Sequence, residues 1–129
     1  MHAKIYLRIS ASIALFYAIF HIFMPLLVPE LYSAPLVNGS GIEIMKVFNF
    51  LTALVCLGMS AIAFVFSSEL VSSRFGRVVC LYFASIGLLR ALLEIICVGI
   101  TDPVSIFIIT TTFIAGLCCI LAIMKTQPR

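Results

Sequence analysis

The sequence predicts an all-α integral membrane protein, a single four-helix bundle with its N and C termini cytoplasmic. Three observations predict it: an apolar composition, four stretches of membrane-spanning length, and a one-sided distribution of positive charge. Of 129 residues, 64% are hydrophobic and 10% charged, and the mean hydropathy is +1.27. A water-soluble domain of this size needs far more polar surface. The excess is explained if lipid replaces water around most of the chain.

The four stretches run from about Ile5 to Val28, Ile44 to Phe66, Gly76 to Ile100 and Pro103 to Met124. Each is close to the roughly 20 residues that a bilayer requires. Short connections between them favour one bundle, residues 1–129 forming a single domain. Lys4 and Arg8 precede the first apolar run, as in a signal peptide. That run is longer than the roughly 7 to 15 residues of a signal core, and Pro35 follows Tyr32-Ser33-Ala34, which makes a poor cleavage site. The first span is therefore expected to be retained.

Lys4, Arg8, Arg74, Arg77, Lys125 and Arg129 all flank the spans on one side. The opposite loops carry Lys46 together with Glu30, Glu43 and Asp102. The positive-inside rule then places both termini in the cytoplasm, with a bacterial inner membrane as the expected location. The net charge of +3 reports this topology and a mild attraction to anionic lipids. It implies no nucleic-acid partner.

The connection from 28 to 41, VPELYSAPLVNGSG, reads as an irregular outer loop or cap, and its Asn38-Gly39-Ser40 is a sequon that also suits a turn. Pro25 and Pro29 are expected to end or kink the first span. SSELVSSRFGR reads as a basic cytoplasmic hairpin, and the minimal TDP link makes the last two spans antiparallel neighbours.

Within the third span, Arg90 and Glu94 stand one helical turn apart with no other charge from Val78 to Ile100. At about 1.5 Å per residue, Arg90 lies roughly 15 Å and Glu94 roughly 9 Å below the outer boundary. The same arithmetic puts His21, Tyr17, Asn49, Thr52 and Thr110 to Thr112 in that outer-half slab. Helical spacing gathers them on inward stripes: Ser10, Ala14, Tyr17, His21 and Met24 on the first span; Asn49, Thr52, Cys56, Met59 and Ala63 on the second. The third gives Phe83, Gly87, Arg90, Glu94 and Cys97, and the fourth Thr111, Ala115, Cys118 and Ala122. Small and polar stripes are what a membrane bundle places inside.

An uncompensated charge at this depth costs about 2.5 to 3.5 kcal/mol on insertion scales, so Arg90 and Glu94 are expected to pair and face inward. Arg90 keeps donors for Tyr17, Asn49, Thr52 or a ligand, and His21 is placed to hydrogen-bond Glu94. The same residues also suit a purely structural role, fixing helix register.

Other chemistries find little footing. The five cysteines form no CxxC and are expected at different depths, as apolar packing rather than as the redox pair of a vitamin K epoxide reductase-like enzyme. Two histidines supply no membrane haem, no metal signature is present, and no nucleophile elbow or phosphate loop occurs. No cofactor is expected, and the balance leans away from an enzyme. In size the chain is similar to the small multidrug resistance transporters, but its first span carries no acid.

A basic start to the first span, a proline-bearing outer loop, GLLRALLEIICVG in the third span and GITDPVSIF leading into the fourth together resemble the DoxX-like superfamily of small four-helix membrane proteins. The resemblance implies a bundle with an internal pocket. It does not extend to the acidic catalytic set of related sterol isomerases.

The leading expectation is an outer-half polar pocket of Tyr17, His21, Asn49, Thr52, Arg90 and Glu94 that binds a small amphipathic ligand, lipid or quinone-like. Arg90 would hold an anionic or carbonyl group and Glu94 would orient Arg90. The partners then expected are membrane lipids, that ligand, and a membrane-protein partner or a second copy. The alternatives are a structural or accessory subunit of a membrane complex, and a small transporter using Glu94.

Overall fold

The computed structural model describes residues 2–29 and 39–125, which hold five helices and no strand. They are α1 (His2–Leu27), α2 (Gly39–Val65), α3 (Ser67–Ser72), α4 (Arg74–Cys97) and α5 (Pro103–Met124). α1, α4, α5 and α2 from Ile44 onward are each long and apolar enough to cross a membrane. Most of the outer loop, including Asn38 of the sequon, and the chain beyond Lys125 lie outside the described residues.

Large apolar side chains coat the outside while small ones fill the inside, the reverse of a soluble domain. Leu26, Phe48, Val65, Phe75 and Ile96 are exposed, whereas Ala11, Ala18, Ala53, Ala63, Ala84, Ala91 and Ala122 are buried. Lipid is as apolar as leucine, so helices gain by approaching closely across small residues. The α4–α5 crossing is built this way. A Cβ added to Gly87 would fall 2.8 Å from the Thr112 carbonyl oxygen, and one added to Gly116 would fall 3.0 Å from that of Ala84.

The long helices pack in the order α2, α1, α5, α4, and α2 and α4 share no extended contact. At the end where the chain starts and finishes, this row closes around one apolar cluster. Leu7 of α1, Ala63 of α2, Leu70 of α3, Phe83 of α4 and Cys119 of α5 all belong to it. The cluster does not extend to the far end, and α2 and α4 share no extended contact.

Helix α3 is the element that the sequence did not announce, since SSELVSS reads as loop. Its buried Leu70 anchors it in the cluster, and Lys4 Nζ donates to Ser68 Oγ at 2.8 Å across to α1. The chain then turns sharply at Ser73, whose extended backbone and side-chain oxygen cap α4 by accepting from the Gly76 N–H at 2.8 Å. Gly76 sits against the backbone of Leu70 so closely that a Cβ would fall 2.4 Å from its Cα.

At the far end α4 stops at Cys97, three residues before the predicted Ile100. Gly99 adopts φ +92° and its N–H donates to the Glu94 carbonyl at 3.1 Å, a left-handed helix stop that other residues rarely adopt. Asp102 caps α5 by accepting from the Ser105 N–H at 3.0 Å, and Pro103 occupies the first turn. Pro25 lies inside the last turn of α1, which continues to Leu27.

Candidate functional site: an open groove at Arg90

Arg90 and Glu94 do form the expected pair, with Nη1 to Oε2 at 2.5 Å, but the two side chains live in different surroundings. The Glu94 side chain is 7% exposed and that of Arg90 is 47% exposed. The reason is register on α4. Ala91 and Glu94 lie on the buried face, and Arg90 sits at the edge of that face rather than at its centre. The earlier end of α4 also raises the pair, leaving Arg90 roughly 10 Å and Glu94 roughly 5 Å from the last helical residue.

Glu94 is fully engaged. Its second oxygen, Oε1, accepts from Ser105 Oγ at 3.0 Å, and Ser105 is itself only 2% exposed. The expected bond from His21 to Glu94 is thus replaced by one from α5. Ser105 escaped the sequence reading, although a signal existed. In an antiparallel hairpin, residues equidistant from the turn face each other, and Glu94 and Ser105 are equidistant from the Gly99–Ile100 link. The same rule pairs Gly87 with Thr112, which touch, and Cys80 with Cys119, which share the buried cluster rather than the separate depths expected.

His21 is held elsewhere. Asn49 Nδ2 donates to the His21 carbonyl oxygen, which fixes the amide so that Asn49 Oδ1 accepts from His21 Nδ1–H at 2.6 Å. This reciprocal clamp ties α1 to α2 near the far end.

Tyr17 is half-buried on α1. It lies within electrostatic reach of Cys56 on α2 and of both Arg90 and Glu94 on α4. Its hydroxyl meets Thr111 Oγ1 at 2.5 Å, and Thr111 Oγ1 donates in turn to the Phe107 carbonyl at 2.7 Å. Thr111 has one proton to share between Tyr17 and its own helix, so either hydroxyl can donate in their bond. Thr52 does not join this group. It is exposed and its hydroxyl donates at 2.9 Å to Phe48 of its own helix. The inward stripe of α2 keeps Asn49, Cys56 and Ala63, takes Ala53 and Ser60 as its other buried members, and has Met59 at its edge against the core cluster.

The groove is the interval between α2 and α4, which share no extended contact: Arg90 stands half-exposed on α4, Glu94 and Ser105 lie buried behind it, and Tyr17 and Thr111 belong to the intervening α1–α5 pair. Two apolar hollows lie elsewhere, one beside α3 lined by Ile62, Phe66 and Val79, the other along α1 lined by Phe16, Phe20 and Phe23. Arg90 has five N–H donors. Among the described residues its hydrogen-bonding partner is Glu94, through Nη1. No group of three or more His, Cys, Asp or Glu side chains among the described residues is placed to hold a metal ion. No known protein family, characterised protein or solved structure matches the chain.

Proposed function

We propose that this is a multi-pass protein of a bacterial inner membrane, termini in the cytoplasm, that holds a small amphipathic molecule, a lipid or quinone-like compound, with its head against Arg90. The observation that carries the reading is the asymmetry of the ion pair. A pair serving packing alone would bury both members. Here Glu94 is buried and doubly bonded, while Arg90 is half exposed at a depth where water is scarce. Glu94 and Ser105 thus hold a guanidinium that keeps donors beyond its bond to Glu94. α2 and α4 share no extended contact, which suits a ligand arriving laterally from within the bilayer. Kinship with the DoxX-like superfamily is part of the same proposal and rests on the sequence pattern.

A binder stabilises its folded form in proportion to its occupancy. The test is the thermal midpoint of delipidated protein with and without an extract of bacterial inner membrane. The proposal expects a rise for the wild type that disappears in the Arg90→Leu/Glu94→Leu double variant. Equal rises in both proteins would remove the groove from consideration.

A second reading is favoured by the clamp of His21 with Asn49 and by the bond of Tyr17 to Thr111. These satisfied pairs tie neighbouring helices, as expected of a structural or accessory subunit. In that role the groove would receive a partner's helix, and the membrane extract would leave the midpoint unmoved.

A further inference from the structure

The hydrogen bonds of the groove carry information about which heads it accepts. Arg90 and Glu94 bring one positive and one negative charge, 2.5 Å apart, so the pair is neutral before any ligand arrives. Both carboxylate oxygens are occupied, one by Arg90 and one by Ser105. The Tyr17 and Thr111 hydroxyls are engaged with each other. What remains among the described residues is a set of N–H donors on Arg90, with no unoccupied carboxylate oxygen or free charge beside them.

An anionic head would meet those donors, but it would also leave a net negative charge in hydrocarbon, next to the Glu94 carboxylate. A neutral carbonyl takes the same hydrogen bonds and adds no charge. Resting on the binding role proposed above, we infer that the groove selects neutral amphiphiles whose heads present carbonyl oxygens, and discriminates against anionic ones. Glu94 is then a specificity-determining residue that acts through Arg90, by cancelling the charge that would otherwise attract anions. The carbonyl has two sources, a separate neutral amphiphile or the ester groups of the bilayer's own phospholipids, and the two share this chemistry.

The test uses two photoreactive probes with the same diazirine-bearing alkyl chain, one ending in a methyl ketone and the other in a sulfonate that is ionised at every working pH. Full-length protein is reconstituted in diether-lipid vesicles, which hold no ester carbonyl, and labelled residues are read by mass spectrometry. The wild type is expected to take the ketone at groove residues around Tyr17, Cys56 and Arg90 at least about tenfold over the sulfonate, the order of discrimination an uncompensated intramembrane charge imposes. Glu94→Gln, which leaves Arg90 uncancelled, is expected to reverse the preference. Should that variant fail to fold, the wild-type ratio decides alone. Repeating the labelling in diester vesicles separates the sources: competition by the lipid assigns the carbonyl to phospholipid esters, and persistence assigns it to another amphiphile, both in keeping with carbonyl selection. Equal or stronger sulfonate labelling of the wild-type groove would overturn the inference and leave binding intact. Labelling of the groove by neither probe would overturn the binding role itself.

Discussion

Replacing the members of the Arg90–Glu94–Ser105 chain one at a time should give unequal costs, and the order follows from burial. Arg90→Leu strands a carboxylate whose side chain is 7% exposed, with one hydrogen bond left from Ser105. Breaking a buried pair in this way costs about 3 to 5 kcal/mol. Ser105→Ala removes one hydrogen bond to a charged acceptor, about 1.5 to 3 kcal/mol. Glu94→Leu strands Arg90, but that side chain is already 47% exposed and long enough to reach toward the membrane surface. Its cost should fall below that of Arg90→Leu, toward the low end of the about 2.5 to 3.5 kcal/mol that an intramembrane arginine carries on insertion scales. Removing both charges orphans neither charge and strands only the Ser105 hydroxyl, so Arg90→Leu/Glu94→Leu should cost about 1 to 3 kcal/mol, less than Arg90→Leu alone. Reversible unfolding of the four variants in mixed micelles, titrated with a denaturing detergent, measures these values. Equal costs for Arg90→Leu and Glu94→Leu, or a double variant as damaged as the sum of the singles, would refute the argument from burial.

Three other perturbations probe the frame that positions the groove. Gly87→Val forces a side chain against the Thr112 carbonyl oxygen and should lower stability by about 1 to 3 kcal/mol in the same assay, whereas an unaffected protein would mean that α4 and α5 do not cross here. Gly76→Ala should be worse tolerated than alanine at Gly58, which has open space around it; the thermal midpoints of the two variants decide. Cys97 is exposed at the last residue of α4, while Cys80 and Cys119 are buried in the core. With the termini in the cytoplasm, a membrane-impermeant maleimide added to intact cells should modify Cys97 and spare the other two, and labelling only after permeabilisation would reverse the orientation.

Much of the architecture was legible because hydrophobic length is a coarse and robust signal. The four spans needed only runs of Leu, Ile, Val and Phe, and the short TDP link alone dictated that α4 and α5 lie side by side. Helix ends were less legible. α4 stops at Cys97 because Gly99 takes a left-handed conformation, and composition alone does not say which glycine near a span will do so. On α2 the expected inward stripe holds at Asn49, Cys56, Ala63 and Met59, which packs against the core cluster, but Thr52 is exposed where Ala53 is buried, and Ser60 was missed. On a helix that is apolar all round, adjacent small residues give two nearly equal stripes, and only the packed neighbour chooses between them.

The site itself was half visible. A charge pair inside a span announces itself, and so does the bond between Arg90 and Glu94. Its partner Ser105 was not seen, because a single serine beside a cap residue looks like part of the cap. Folding the hairpin on paper about the Gly99–Ile100 link would have placed it opposite Glu94. Read from the sequence, depth and facing place His21 beside Glu94 and Asn49 beside Arg90. Depth does not say which two helices touch, and the row order α2, α1, α5, α4 pairs them with each other instead.

The central claim is that Arg90 holds the head of a bilayer-derived molecule. Native mass spectrometry of the protein released from a mild detergent, with the co-purified small molecule identified, tests it most directly. The account predicts a bound species at one per chain in the wild type that is absent from Arg90→Leu/Glu94→Leu, a variant in which neither charge is orphaned. An unliganded wild-type mass, or a bound species kept by the double variant, would contradict it.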